Sequence, residues 1–260
     1  GGLWVASADG LHHFDPANGR FTSWHHDAAD EGSLANDQVN ALARDATGRL
    51  WVATAAGLDM LAPGAANFRH YKVDTPGTGG GSSSGRSGRS GPDARDSRFN
   101  AVLSLQVDSA QTLWVGTMGG LEQWRLLGAE PQRRRLGLRE GLNPGVSITT
   151  LYQDVENQIW VGTQADGLFR WLPAEQRLTQ YRHQFSDNHS LADNQVSALF
   201  RDRVGTFWVG TWNDGVSRVD MGSGGFARIV RQSDMINTVS DNKVRAIAAA
   251  DGGALLRSEE

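Results

Sequence analysis

The chain has 260 residues, a formal net charge of −4, 39% hydrophobic and 21% charged residues. That is the make-up of a globular protein with a sizeable core, and the mild negative charge speaks against nucleic acid as a general partner, which wants a basic face. The absence of cysteine excludes a disulfide framework, a zinc–thiolate site and a cysteine nucleophile.

The chain opens on Gly1-Gly2-Leu3-Trp4-Val5, not on methionine, and this opening matches the middle of a pattern that returns further on. A native start with any targeting signal is therefore expected upstream. Next comes a lead-in, Ser33 to Gln38, and a strand predicted over Val39-Asn40-Ala41-Leu42-Ala43. Asp45 enters a tight turn through its side chain, and Gly48 supplies the left-handed residue that the turn wants. The strand Leu50-Trp51-Val52-Ala53-Thr54 follows. A second turn ends in Gly57, and strands are predicted over 58–61 and 68–71. Residues 75–98, with Gly79 to Arg86 almost all glycine and serine, can bury nothing and read as a flexible insertion.

The same unit then repeats. Trp51 returns as Trp114, Trp160 and Trp208, with Trp4 as a fifth copy, at gaps of 47, 63, 46 and 48 residues. Only the gap holding the insertion is long. Asp45, Asp108, Asp154 and Asp202 each precede their tryptophan by six residues. Gly48, Asn157 and Gly205 fill the left-handed position; Gln111 is the exception, where strain or a shifted turn is expected. Four antiparallel strands in about 47 residues is one blade of a β-propeller. The fold class is thus all-β, a propeller of four-stranded antiparallel blades with about five blades present in a single domain over 1–260. Residues 243–256 give a last, decayed unit with Leu256 where tryptophan is expected. Pairing of the two chain ends would close a five-blade ring. The start inside a strand and the decayed last unit favour a fragment of a larger ring. No run reaches the ~18 apolar residues that span a bilayer, so membrane contact is expected only through segments outside this chain.

The pattern V-x-x-L-x-x-D-x-x-G-x-L-W-V-G-T-x-x-G-L, matched closely over 39–58 and 196–216, resembles the two-component regulator propeller repeat. Ser33-Leu34-Ala35-Asn36-Asp37-Gln38-Val39 and Ser190-Leu191-Ala192-Asp193-Asn194-Gln195-Val196 match its lead-in between blades, and Thr238 to Val244 follows the same form. The resemblance implies the periplasmic sensor domain of a receptor anchored in the bacterial inner membrane. The family's output domain is a histidine kinase or diguanylate cyclase, its best-understood ligands are oligosaccharides, and a homodimeric receptor is implied.

Residues that recur in register are expected to pack, so the repeated tryptophans are read as inter-blade packing. Functional residues are sought where the repeats differ. The loops after the tryptophan strand differ most: Ala55-Ala56, Met118-Gly119, Gln164-Ala165-Asp166 and Trp212-Asn213-Asp214. An aromatic beside an amide and a carboxylate suits a sugar ring, so Trp212, Asn213, Asp214, Gln164, Asp166 and Met118 are the expected ligand contacts, with packing the competing role for Trp212. Asp187, Asn188 and His189 in a loop between blades are weaker candidates. His12-His13 and His25-His26 do not point to a metal, because the first pair falls at repeat positions filled elsewhere by Asp59-Met60, Glu122-Gln123 and Phe169-Arg170. Arg133-Arg134-Arg135 reads as a charged outer strand. No catalytic or cofactor-binding motif stands out. A non-enzymatic sensor module is the leading reading; a secreted propeller lyase, a quinone-dependent dehydrogenase and a protein-interaction scaffold stand as alternatives.

Overall fold

The fixed distance from aspartate to tryptophan is a hydrogen bond. In the computed structural model, Oδ2 of Asp45, Asp108, Asp154 and Asp202 accepts the indole N–H of Trp51, Trp114, Trp160 and Trp208 at 3.0, 2.9, 2.8 and 2.9 Å. The other carboxylate oxygen collects turn amides: Thr47 and Arg49, Thr112, Glu156 and Gln158, and Thr206. One acidic side chain thus closes its hairpin and satisfies a buried donor that would otherwise cost about 1–3 kcal/mol. The turn at Gln111 is not shifted. It makes the same two backbone bonds as the turn at Gly48, and Gln111 takes the left-handed conformation (φ 58°) that Gly48 (φ 86°), Asn157 (φ 61°) and Gly205 (φ 91°) take. The expected strain is present, since a side chain in that region costs roughly 1 kcal/mol.

The structure describes residues 2–73, 100–128, 130–203, 205–220, 225–229, 242–249 and 255–257. The predicted insertion at 75–98 lies outside the described residues. The described residues fall into two compact units, 1–136 and 137–260. In the first unit, β1 (Leu3–Ser7), β2 (Gly10–Asp15) and β3 (Arg20–Trp24) form a three-stranded sheet. A four-stranded blade follows from β4 (Val39–Arg44), β5 (Leu50–Thr54), β6 (Gly57–Leu61) and β7 (Phe68–Tyr71), then another from β8 (Val102–Val107), β9 (Thr112–Thr117), β10 (Gly120–Arg125) and β11 (Gln132–Arg135). The second unit holds β12 (Ile148–Gln153), β13 (Ile159–Thr163), β14 (Leu168–Leu172) and β15 (Arg177–Tyr181), then β16 (Val196–Arg201), β17 (Phe207–Thr211), β18 (Val216–Asp220) and β19 (Gly225–Ile229). It also contains the pair β20 (Ile247–Ala249) and β21 (Leu255–Arg257). Every pairing is antiparallel between sequence neighbours. Ala248 faces Leu256 in the ladder as Phe200 faces Trp208, so the decayed unit keeps the register.

Trp51 and Trp160 pack between blades, as expected. Trp51 is fully buried and meets Trp124 of the next blade edge-on at 6.2 Å, within a cluster of Leu58, Tyr71, Leu105 and Val115. In the second unit Trp160 meets Phe207 at 4.9 Å and packs with Leu191, Val209 and Phe226. The first strands of the four complete blades, β4, β8, β12 and β16, each carry a register shift after the opening residue. The skipped residue turns toward the neighbouring blade: Asn40 donates to the Val102 carbonyl (2.8 Å), Thr149 to Val196 (2.6 Å) and Ser197 to Val244. Leu103 holds this place in β8 and has no group to donate.

The position occupied by His12, Asp59, Glu122, Phe169 and Ser217 holds a different residue in each sheet. It faces one outer-strand residue in the ladder, and the pairs change together: His12 with Ser23, Asp59 with His70, Glu122 with Arg135, Phe169 with Gln180, Ser217 with Arg228. Asp59, Glu122, Phe169 and Ser217 are buried; Asp59 bonds to its cross-strand neighbour His70 at 2.7 Å and Glu122 lies 3.8 Å from Arg135, whereas Ser217 accepts the Ala192 amide. His12 is held by Ser7 Oγ at 3.0 Å and Ser23 Oγ at 2.8 Å, one on each ring nitrogen.

Candidate ligand-binding site

Each second strand ends in a hydroxyl that shapes the loop after it. The hydroxyls of Thr54, Thr117, Thr163 and Thr211 donate to the carbonyls of Gly57, Gly120, Gly167 and Gly215 at 2.7–3.0 Å. The same oxygens accept the amides of Ala56, Gly119, Asp166 and Asp214. Ser7 does the same for Gly10 and Asp9. The hydroxyl is buried in all four blades, so a fixed frame presents a variable loop tip. The recurring threonine was visible in the sequence, but its role was not, because the hydroxyl's partners lie in the loops that vary.

The loops between blades are fixed just as firmly. In the first unit, Asp37 Oδ1 accepts the His26 amide (2.6 Å), and the Asp37 carbonyl accepts the Gly10 amide (2.7 Å). In the second, Asn194 Oδ1 accepts the His183 amide (2.8 Å), and its carbonyl accepts the Gly167 amide (2.9 Å). His26 and His183 donate from Nδ1 to the carbonyls of Leu34 and Leu191. Ser33 and Ser190 each accept an amide and return a bond to a carbonyl across the loop. Each lead-in motif therefore ties the third strand of one blade to the first strand of the next.

These frames bring five of the six predicted site residues onto one rim of the second unit. Asn213 donates from Nδ2 to Asp193 at 2.9 Å. Asp193 adjoins Asn194, which binds Gly167 next to Asp166. Asp166 is approached by Arg182 at 3.7 Å, and its carbonyl accepts from Gln180 at 2.8 Å. Gln164, Asn213 and Asp214 are exposed; Asp166 and Trp212 are partly so. Met118 is exposed on the matching loop of the first unit. Trp212 is anchored by its amide, which donates to the Gln195 carbonyl at 3.0 Å. Its ring has Lys243 and Arg245 at 5.7 and 5.8 Å from the centroid, both exposed, within the range of cation–π attraction.

The sequence reading did not pick out Lys243, Arg245, Arg182 or Phe185. Phe185 is 96% exposed in the loop after β15, where the matching loop of the first unit has Ala28. A repeat-by-repeat comparison of the loops would have flagged it. Of the weaker candidates, Asp187 gives its carbonyl to Arg228 (2.7 Å) and to the Ser190 amide, and its carboxylate takes the His189 amide (2.8 Å); these bonds belong to the loop's own architecture. Arg133 lies 4.7 Å over the Trp124 ring and donates to the Lys72 carbonyl, so the outer strand β11 is tied down as well as charged.

Three segments, 33–56, 141–165 and 190–213, match the sequence model of the family described as two component regulator propeller. No curated protein sequence matches the chain. Among solved structures, the chain is similar to an extracellular domain assigned to the hybrid two component system BT3049 of B. thetaiotaomicron. The TM-score is 0.69 at 18% identity, covering 95% of this chain and 29% of that one. A second, assigned to the hybrid system BT4673 of the same organism, gives a TM-score of 0.58 at 20% identity, covering 98% and 36%. Virginiamycin B lyase from Staphylococcus aureus gives 0.65 at 14% identity, covering 98% and 73%. The chain thus spans about a third of the length of the extracellular domains it resembles. These likenesses share a fold, and three segments of this chain match the two component regulator propeller repeat.

Proposed function

We propose that this chain, built from two component regulator propeller repeats, is the ligand-binding sensor part of a membrane-anchored bacterial signalling receptor. In this reading it lies in the periplasm, and the rim around Trp212 takes an oligosaccharide. The supporting observation is the mixed chemistry of that rim. A partly exposed indole is flanked by two cations, a side-chain amide and the carboxylates of Asp193 and Asp214. A sugar offers an apolar ring face and hydroxyls that both donate and accept. A simple anion would meet the carboxylates, and an apolar ligand would strip water from groups it cannot pair. Gln164, Asp166, Asn213 and Asp214 are the further proposed contacts on this unit, and Met118 is the equivalent on the other.

The proposed role is binding without turnover, with the output, a histidine kinase or diguanylate cyclase, elsewhere in a homodimeric receptor. The likeness to extracellular domains of two component systems supports the setting. The test is a thermal-shift and tryptophan-fluorescence screen of the chain against neutral and acidic oligosaccharides, followed by chromatography of each hit. We expect a hit whose affinity falls at least about tenfold in Trp212→Ala, equivalent to roughly 1.4 kcal/mol, and no product. Product formation would favour the lyase reading suggested by the likeness to virginiamycin B lyase. Binding that Trp212→Ala leaves unchanged would remove the ligand from this rim.

A further inference from the structure

The two inter-blade loops share one backbone design but are held by different outer-strand residues. In the second unit Arg228 on β19 reaches the carbonyls of Ser190 (3.0 Å), Gln184 (3.2 Å) and Asp187 (2.7 Å), and the Ser190 hydroxyl. In the first unit His70 stands at the matching ladder position on β7. Its Nε2 lies 2.8 Å from the Glu31 carbonyl, and its Nδ1 lies 2.7 Å from Asp59 Oδ1. Asp59 is fully buried, and its other oxygen accepts the Ala35 amide at 2.8 Å.

This geometry has a protonation requirement. Both imidazole nitrogens face acceptors, the Glu31 carbonyl and the Asp59 carboxylate. A neutral imidazole carries one N–H and can serve only one of them. Making both bonds requires a further proton, on the ring or on the carboxyl. Arg228 has no such requirement, since a guanidinium keeps its protons at any physiological pH.

We propose that the loop segment from Asp27 to Ser33 is a pH-responsive latch, held through the Glu31 carbonyl by the protonated Asp59–His70 pair and loosened when that pair gives up its proton. The matching segment of the second unit, clamped by Arg228, is not pH-responsive. The groups facing the pair agree with this assignment. Burial opposes the charged form of His70, but the bonds to Asp59 and to the Glu31 carbonyl outweigh it and raise its pKa above the usual 6.5. Burial likewise raises the pKa of Asp59 above 3.8, against the bonds from His70 and the Ala35 amide and the nearby charges of His70 and His26. Both shifts favour keeping the proton in the pair. His26 does not supply the effect, because its Nδ1–H bond to the Leu34 carbonyl needs only a neutral ring and is repeated by His183 in the control loop. His189, also in the control loop, is solvent-exposed and 3.7 Å from Asp187.

The release follows from the competition between acceptors. When the shared proton leaves, the remaining N–H stays with the stronger, charged acceptor Asp59, and the Glu31 carbonyl is left facing a lone pair. The adjacent Gly32 carbonyl, which accepts the Phe68 amide at 2.8 Å, lies on the same stretch; its counterpart is the His189 carbonyl with the Phe226 amide at 2.7 Å.

The test is residue-resolved amide hydrogen exchange on the full chain between about pH 6 and pH 9, corrected for intrinsic exchange, with NMR titration of His70 alongside. Protection at Gly32, Ser33 and Phe68 should fall about fivefold with rising pH, the scale of one lost hydrogen bond. His189, Ser190 and Phe226 should not respond. The fall should coincide with the His70 titration and be absent from His70→Gln. An equal response in both loops, a response that survives His70→Gln, or a His70 titration with no change in loop protection would each overturn the proposal.

Discussion

At one end of each blade, an aspartate closes a hairpin and holds a tryptophan. At the other, a threonine caps a loop whose tip changes from blade to blade. Both devices use a side-chain oxygen to satisfy backbone amides, but they differ in what else they bind. The aspartate spends its second oxygen on a core residue, so turn and core are one interaction and the two residues recur together in all four complete blades. The threonine bonds only to loop backbone, so anything can be mounted on the tip without disturbing the strands. A repeat fold gains variability at one end by giving it up at the other.

The largest expected effect comes from breaking the constant end. Asp45 accepts from the Thr47 hydroxyl and amide, the Arg49 amide and guanidinium, and the Trp51 indole. Asp45→Ala leaves that buried indole N–H unpaired and opens the turn, and should cost about 3 kcal/mol in urea unfolding. The same bonds give the site an acid sensitivity. Burial opposes the Asp45 charge, but the bonds from Thr47, Trp51 and Arg49 outweigh it and hold its carboxyl below 3.8. A lowered folded-state pKa gives stability that is present above the ordinary value and lost as pH falls through the lowered one. Melts below about pH 4 should therefore lose a contribution that Asp45→Ala no longer has. Equal pH slopes in both proteins would show that the carboxylate is not ionised by this network.

The variable end should respond less. Thr163→Val and Thr211→Val keep the buried shape but remove the bonds to Gly167 and Asp166, or to Gly215 and Asp214. Each should cost about 1 kcal/mol. In the proposed sensor each should also weaken ligand binding, because the loop tip loses its frame. A loss as large as that of Asp45→Ala would mean that the threonine belongs to the core and that the two ends are not distinct in kind.

This contrast also explains what could be read from the sequence. The strands at 68–71 and 168–172, the turns at Gly48 and Gly205, and the packing of Trp51 and Trp160 were legible because they repeat in register. Repetition averages out local accident. The grouping of Gln164 and Asp166 with Trp212 to Asp214 was legible as far as loop position goes, since loops of one class emerge on one side of their blades. The pairing of Asp59 with His70, or Glu122 with Arg135, was not. Those partners are 11 and 13 residues apart across hairpins of different length, and a shift of one residue in register would have named a different neighbour. Lys243 and Arg245 were hidden for another reason. They flank Val244 at the start of the weakest repeat, where the pattern gives little to align.

The smallest effect is expected where the constant end departs from its own rule. Gln111 occupies a left-handed position that Gly48 and Gly205 fill without strain, yet it has a use there. Its Oε1 accepts the Ala46 amide at 2.8 Å, joining the turn of one blade to that of the next. Two substitutions separate the cost from the use. Gln111→Ala keeps the strained backbone and loses the bond, and should destabilise by about 1 kcal/mol. Gln111→Gly loses the bond but relieves the strain, and should fall within about 0.5 kcal/mol of the parent. Both are read by urea unfolding. If Gln111→Gly stabilised by a full 1 kcal/mol, the bridge to Ala46 would contribute nothing and Gln111 would be a blemish in the repeat. If both substitutions cost the same, the backbone strain would be negligible and the amide bridge alone would account for the residue.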